Sequence, residues 1–203
     1  MKHSLHILYK SVLVIILSIM GIEKMDAQMI AVRNNVVYDA TMSPNIGFEL
    51  VVGERKTISI DFMGNYKPLG KDMKMMFLQP EFRYYFSGRP MFKHFVGLGL
   101  IGGSYDITWK GKVYDGMALG MGMTFGYVKK ITSRFNIDFH AGFGVIGYKQ
   151  KEYYEGDHFY QDYMEGNERT NASGYTLLPT NIGVSVHYLS LIHISEPTRL
   201  RCI

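Results

Sequence analysis

Residues 116–127 read GMALGMGMTFGY, and this stretch decides the fold. Its bulky apolar residues occupy every second position, and the positions between them hold glycine, alanine and threonine. Because successive side chains of a β-strand point to opposite faces, this period of two predicts a strand with one bulky apolar face and one face of small residues. An amphipathic helix would repeat its apolar residues every three to four positions.

The same alternation recurs along the chain, and residues 28–189 contain no stretch with a sustained helical period. Eight segments are predicted strands, and the first and fifth of them are less regular than the rest: 30–40, 45–53, 57–66, 76–86, 94–107, 116–127, 135–148 and 181–189. Each is about as long as the roughly 9–11 residues that a membrane-spanning strand needs. The sequence therefore predicts an all-β fold, an eight-stranded antiparallel up-and-down transmembrane β-barrel.

The predicted connections alternate in length. Tight turns are expected at 53–56, 87–90 and 130–134, and longer loops at 67–74, 108–115 and 149–178. Only the first connection, residues 41–44, breaks the trend. Short turns at one end of a barrel and long loops at the other are typical of outer-membrane proteins.

The polar faces of the strands distinguish a membrane barrel from a soluble one, which would keep its apolar face inside. A water-exposed sheet face usually carries lysine, but the polar face of the six regular strands has none and has many glycines. Glycine in a strand lowers stability by about 0.5–1 kcal/mol relative to alanine. Such a loss is expected where a crowded lumen leaves no space for a side chain. Aromatic residues near strand ends suggest membrane-interface girdles: Tyr66, Phe86, Phe125, Tyr127 and Tyr188. The pattern favours the membrane barrel.

Both ends of the chain are predicted to lie outside the barrel. Residues 1–27 have a basic start and an apolar run of about twelve residues, which predicts a signal peptide rather than a membrane-spanning helix; a retained anchor is the alternative. Residues 189–199, LSLIHISEPTR, resemble the translation of a sequencing-library adapter, so residues 190–203 are predicted to be an adapter-derived artefact. The barrel domain is then residues 28–189.

Composition excludes several classes of function. The whole chain has 22 basic and 18 acidic residues, and removing the two predicted end segments leaves 17 and 15. This near balance, without a basic patch, gives no indication of nucleic-acid binding. Cys202, the only cysteine, lies in the predicted artefact, so neither a disulfide nor a thiolate metal site is expected.

Three segments resemble a known family: NNVVYDATMSPNIGFEL (34–50), QPEFRYYFSGRPMFKHFVGLGLIGG (79–103) and PTNIGVSVHYL (179–189). They are similar to a Bacteroidales family known only as a domain of unknown function and regarded as an outer-membrane β-barrel. The resemblance runs from about Met29 to Leu189. It implies the same fold and location, and an association with fimbriae, because members are often encoded beside fimbrial genes. It implies no catalytic residues.

Eight charged or titratable residues are predicted to point into the lumen: Arg33, Asp39, Glu49, Asp61, Glu81, Arg83, Asp138 and His140. An eight-stranded barrel is just wide enough for side chains to fill it, and buried charges persist when they are paired. The first interpretation is therefore a structural ion-pair network. The alternative is a catalytic centre in which Glu81 and His140 form an acid–base pair, although no nucleophile is placed beside them.

The long predicted loop at 149–178 is the most distinctive external stretch. It carries five tyrosines among acidic residues, and these are the candidate extracellular recognition residues: Tyr153, Tyr154, Tyr160, Tyr163 and Tyr175. Tyrosine gives a large amphipathic contact area at low entropic cost. A solvated hairpin without a partner is the alternative. Asp157, His158 and Asp162 match no known metal-loop spacing, so neither a metal nor a cofactor is expected.

Three functions remain open at the level of sequence. The leading one is a monomeric, non-enzymatic outer-membrane barrel that contacts membrane lipid and has a structural or accessory role, linked to fimbriae or surface assembly and acting through its extracellular loops. The second is an outer-membrane enzyme with a luminal site. The third is a soluble secreted barrel that binds a ligand.

Overall fold

The structure is a computed structural model that describes residues 29–156 and 172–191. These residues form eight strands: β1 Met29–Asn35, β2 Asn45–Gly53, β3 Lys56–Tyr66, β4 Met73–Tyr85, β5 Lys93–Trp109, β6 Lys112–Lys130, β7 Phe135–Tyr154 and β8 Ala172–Leu191. Each strand pairs antiparallel with the next, and β1 pairs with β8 to close the barrel. The predicted eight-stranded antiparallel up-and-down barrel is confirmed.

Two short helices lie within the connections between strands: α1 spans Val36–Ala40, and a 3-10 helix spans Pro68–Gly70. In the described part of the chain, no helix is both long and apolar enough to cross a bilayer. The segments 1–28, 157–171 and 192–203 lie outside the described residues, so the signal peptide and most of the adapter-derived segment stay predictions. β8 continues through Ser190 and Leu191, the first two residues of that segment.

The two faces of β6 show why alternation decides the fold. Met117 and Leu119 are about 70% exposed on the outer wall, whereas the intervening positions point inward. Glycine is required at several inward positions because neighbouring groups leave no space for a side chain. A Cβ at Gly126 would lie 2.4 Å from the ring of Phe95. The predicted interior of small residues is confirmed in this strand.

The first predicted strand is wrong in its second half. β1 ends at Asn35, and the backbone then turns into α1. The Asn35 side chain accepts a hydrogen bond from the Val37 amide at 3.1 Å, an N-cap that offers the chain a local alternative to the sheet ladder. Asp39, which the longer strand would have directed into the lumen, lies instead on this exposed helix.

All three predicted long loops are shorter in the structure, and the first of them by only two residues, at 67–72. β5 and β6 are joined by Lys110 and Gly111 alone, with φ of +52° and +76°, so the loop predicted at 108–115 is wrong. Positive φ at both residues of a two-residue connection is the geometry of a type I′ hairpin turn. The β7–β8 connection spans 155–171 rather than 149–178, because both strands extend into the predicted loop.

The strands lengthen along the chain, from 7 residues in β1 to 20 in β7 and β8. We call the end with connections 54–55, 86–92 and 131–134 the turn end, and the end with connections 36–44, 67–72, 110–111 and 155–171 the loop end. β5–β8 extend further at the loop end than β1–β4, so one side of the barrel forms a raised wall there.

Candidate functional site

The turn-end half of the lumen holds a cluster of buried charges centred on Arg83. Its guanidinium is fully buried and donates from Nε to Glu81 Oε2 at 2.7 Å and from Nη1 to Asp138 Oδ2 at 2.8 Å. Nη1 also lies 3.4 Å from Glu49 Oε2, and the guanidinium packs 4.4 Å from the ring centre of Phe95. One side chain on β4 thereby connects carboxylates on β2, β4 and β7 across the barrel.

Glu49 is the second centre of this cluster. Its carboxylate accepts hydrogen bonds from Thr57 Oγ1 at 2.6 Å and from the Tyr85 hydroxyl at 2.8 Å. Arg33 contributes Nη1 at 3.4 Å to Glu49 and Nε at 3.0 Å to Asp61 Oδ1. Buried charges are tolerated only with such partners, because an isolated ion loses its hydration without compensation.

Two buried histidines flank Asp138. Nδ1 of His140 lies 3.5 Å from Asp138 Oδ1, and Nε2 of His187 lies 3.4 Å from Asp138 Oδ2. Nδ1 of His187 also lies 3.9 Å from Glu49 Oε2. With neutral imidazoles, the two arginines of the cluster face four carboxylates, Glu49, Asp61, Glu81 and Asp138, which leaves two negative charges in excess.

Seven of the eight predicted luminal residues come together in this cluster: Arg33, Glu49, Asp61, Glu81, Arg83, Asp138 and His140. The prediction for Asp39 is wrong, because its carboxylate accepts from Asn45 Nδ2 at 3.0 Å on the exposed side of α1. Three members were missing from the predicted network, Thr57, Tyr85 and His187. All three alternate with the outward apolar residues of their strands, so the period of two contained the signal that could have found them.

The predicted recognition tyrosines do not share one loop. Tyr153 and Tyr154 are the last residues of β7, at the top of the raised wall. Tyr175 lies in β8 and is 84% exposed, so its assignment to a loop is wrong. Tyr160 and Tyr163 lie outside the described residues.

The loop-end half of the lumen differs from the turn-end half, because it holds a partly open cavity of about 440 Å³. We call it the upper cavity. Its wall is mainly apolar, and these inward side chains carry most of that character: Met63, Met75, Phe77, Ile101, Ile146 and Leu178. The expectation that side chains fill the whole lumen is therefore wrong for this half.

A hydrogen bond across the lumen forms the floor of the upper cavity. Gln79 Nε2 on β4 donates to the Thr180 carbonyl oxygen on β8 at 2.6 Å. Below it, a space of about 20 Å³ is bordered by Glu81, Thr124 and Asn181, which is room for about one water molecule. The Gln79–Thr180 bond thus separates an apolar compartment from the charged cluster. Within residues 29–156 and 172–191, no group of three histidine, cysteine or acidic side chains is placed to hold a metal ion.

The architecture defines a small closed β-barrel of inverted polarity, with an apolar outer wall and charges inside. The chain belongs to a family described as "Protein of unknown function (DUF3575)", whose model matches residues 12–190. The predicted membership of a family of unknown function is confirmed at that level, whereas the Bacteroidales origin and the fimbrial association stay predictions.

Among solved structures, the chain is similar to the crystal structure of Neisserial surface protein A (NspA), with 15% identity and a TM-score of 0.41. The match covers 80% of this chain and 94% of that one. A search among curated proteins finds no match.

Proposed function

We propose that this protein is an integral β-barrel of a bacterial outer membrane. The observation that carries the proposal is the polarity of the barrel: charges are buried in the lumen, while bulky apolar side chains cover the outer wall. On β6 the outward apolar residues run from Met117 to Tyr127, a length that matches the roughly 9–11 residues of a membrane-spanning strand. In water, so continuous an apolar surface would promote aggregation.

Paired aromatic rings at the turn end support the same proposal. They are outward residues of adjacent strands, or of β4 and the connection that follows it, with centroid separations of 5.6, 4.8 and 5.2 Å for Tyr84–Phe86, His94–Tyr127 and Phe135–Tyr188. Aromatic girdles of this kind mark the level of the lipid headgroups in outer-membrane barrels, because a tyrosine has an apolar ring and a polar hydroxyl that suit the boundary between lipid and water.

An arginine in the middle of the apolar wall tests the membrane location. We expect Met121→Arg to lower the free energy of unfolding in liposomes by about 2–4 kcal/mol, the usual effect of arginine at the bilayer midplane. Met121 is 58% exposed on the outer wall, midway along the apolar run of β6. The measurement is urea unfolding of the lipid-reconstituted protein, monitored by the heat-dependent shift in gel mobility.

Ser104→Arg is the matched control, because Ser104 is also exposed but lies opposite Met117, at the edge of the apolar run. Its expected effect is at most about 1 kcal/mol. Equal stability of the two variants, or a monodisperse wild-type protein that needs no detergent, would exclude the membrane barrel in favour of the soluble one.

We further propose that the protein has a structural or accessory role and acts through the raised wall at the loop end. Above Met117 the outward positions of β5–β7 become polar, with Asp106, Asp115 and Lys151 at successive paired positions. Lys112 on β6 forms a salt bridge with Glu152 on β7, and this bond lowers the pKa of the Glu152 carboxyl. A paired sheet that rises past the apolar belt is a stable platform for a partner.

The chemistry of the raised wall suits recognition of another surface protein. Trp109 and Tyr154 are each more than half exposed near its top, and such rings provide contact area at low entropic cost. A fimbrial or other surface-assembly protein is the proposed partner, on the family resemblance. We propose a monomer, since a closed barrel leaves no strand edge for sheet pairing. We propose no catalytic role, because Glu81 and Asp138 are both engaged by Arg83.

Shortening the β5–β6 hairpin tests the accessory role. Deleting 106–109 and 112–115 removes four residues from each strand, keeps the Lys110–Gly111 turn and preserves both pairing register and alternation. We expect this variant to fold and insert normally, with an unchanged heat-dependent gel shift. In a deletion strain it should restore surface fimbriae to less than half of the wild-type number, counted by electron microscopy. Full restoration would exclude a role for this hairpin.

A further inference from the structure

We propose that the upper cavity is a binding site for a single-chain amphiphile with an uncharged head, such as a monoacylglycerol. Its volume of about 440 Å³ falls within the roughly 300–1,000 Å³ of small-molecule sites. The inference rests on the lumen alone and does not depend on the proposed role of the raised wall.

The wall of the cavity matches a hydrocarbon chain. Met63 and Met75 are unbranched and adaptable, and Phe77, Ile101 and Ile146 complete an apolar lining. Spaces lined by apolar side chains favour apolar ligands, because water gains few hydrogen bonds there. A barrel of this size would fill its lumen with side chains if stability were the only requirement, as the turn-end half does.

The length of the cavity suits one extended chain. Ile101 and Ile107 both line it and lie six residues apart on β5, a rise of about 20 Å along the strand. The Gln79–Thr180 hydrogen bond closes the end of the cavity nearest the charged cluster. The chain terminus would therefore stop at this floor, and the head would lie toward the loop end.

Neutral polar groups surround the expected position of the head. The Tyr105 hydroxyl donates to Gln150 Oε1 at 2.5 Å, and the Gln150 amide donates to Glu152 Oε1 at 2.7 Å. None of the described residues that line the cavity is charged, and the neighbouring charges of Lys112 and Glu152 pair with each other. A charged head would have to lose hydration without a counter-charge, so hydroxyl groups fit this end better than a carboxylate.

Photolabelling of the wild-type protein tests the site. The probe is a monoacylglycerol with a diazirine near the end of its chain, added to the full chain in phosphatidylcholine vesicles, irradiated and mapped by mass spectrometry. We expect saturable labelling of Met75 and Phe77, which point inward. Their neighbours Met76 and Leu78 point outward and report contact with bulk lipid. Labelling confined to the outward pair would overturn the proposal.

Two adjacent substitutions on β6 provide a matched comparison. Ala118→Phe fills the cavity and should reduce luminal labelling at least tenfold, whereas Leu119→Phe adds the same ring to the outer wall and should leave it unchanged. Equal luminal labelling in both variants would contradict the assignment. If Ala118→Phe fails to fold, as judged by the heat-dependent gel shift, the wild-type map decides.

A fatty acid that carries the same diazirine tests the preference of the cavity for an uncharged head group. At equal concentration it should label Met75 and Phe77 at least tenfold less than the monoacylglycerol does. Equal labelling would contradict the preference for an uncharged head.

Discussion

Replacing Arg83 with methionine should lower the free energy of unfolding by about 3–5 kcal/mol, the usual effect of removing one partner from a buried ion pair. Methionine keeps the apolar contact with Phe95 but leaves Glu49, Glu81 and Asp138 without their shared cation. The measurement is urea unfolding in detergent micelles, monitored by circular dichroism and by the heat-dependent gel shift.

Arg89→Met is the control for this prediction. Arg89 is exposed at the turn end and packs 4.1 Å from the ring centre of Phe92 without a carboxylate partner in the described structure. Its replacement should change stability by less than about 0.5 kcal/mol, as for most surface positions. If both variants unfold at the same urea concentration as the wild type, the cluster does not stabilise the barrel and its structural interpretation is wrong.

Replacing Gly144 with alanine should lower the free energy of unfolding of the barrel. The expected loss exceeds the roughly 1–3 kcal/mol that overpacking usually costs. A Cβ at this position would lie 2.2 Å from the Met121 carbonyl oxygen and 2.6 Å from the Gly122 Cα. Both groups belong to the backbone of β6 and cannot move aside as a side chain would. Gly144 also pairs directly with Gly122, so the two strands approach closely at this level. The expected readout is a lower yield of heat-shifted, folded protein.

Gly147→Ala, three residues further along β7, is the matched control. Here a Cβ would lie 3.6 Å from the Leu119 carbonyl oxygen, an ordinary contact distance. Since alanine loses less conformational entropy than glycine on folding, this variant should be as stable as the wild type or up to about 1 kcal/mol more stable. Comparable damage from both substitutions would show that the close approach at Gly144 is not the cause.

The sequence predicts the barrel well where the spacing of the apolar residues matches the two-residue period of a β-strand. Apolar and small or polar side chains alternate throughout β6 and β7. The sequence therefore indicates that these strands exist, which of their side chains point outward, and that they pair. Only their end residues differ from the prediction. The errors arise where a local interaction overrides the pattern. Asn35 caps α1 and stops β1 early, and Lys110–Gly111 makes a tight turn without the asparagine or aspartate that usually signals one.

The two halves of the lumen differ in how far the sequence reveals them. Charged residues at inward positions must find partners, so the cluster around Arg83 could be predicted from alternation and balance of charge. The upper cavity could not. In the run Met75, Met76, Phe77 and Leu78, inward and outward residues are equally apolar, so composition does not indicate which face lines a cavity. Only the closed geometry shows that the inward residues leave space.

The unequal lengths of the strands also determine where this cylinder is mechanically weakest. β1 has 7 residues and β7 has 20, so the hydrogen-bonded ladder that joins the first strand to the last is much shorter than the one between β6 and β7. The long hairpins form a cohesive sheet whose contacts are local in sequence, whereas β1 and β8 must meet from opposite ends of the chain. Closure therefore depends on one of the two short seams that flank β1, with seven residue pairs against nineteen between β6 and β7, and we expect this seam to form last and to open first.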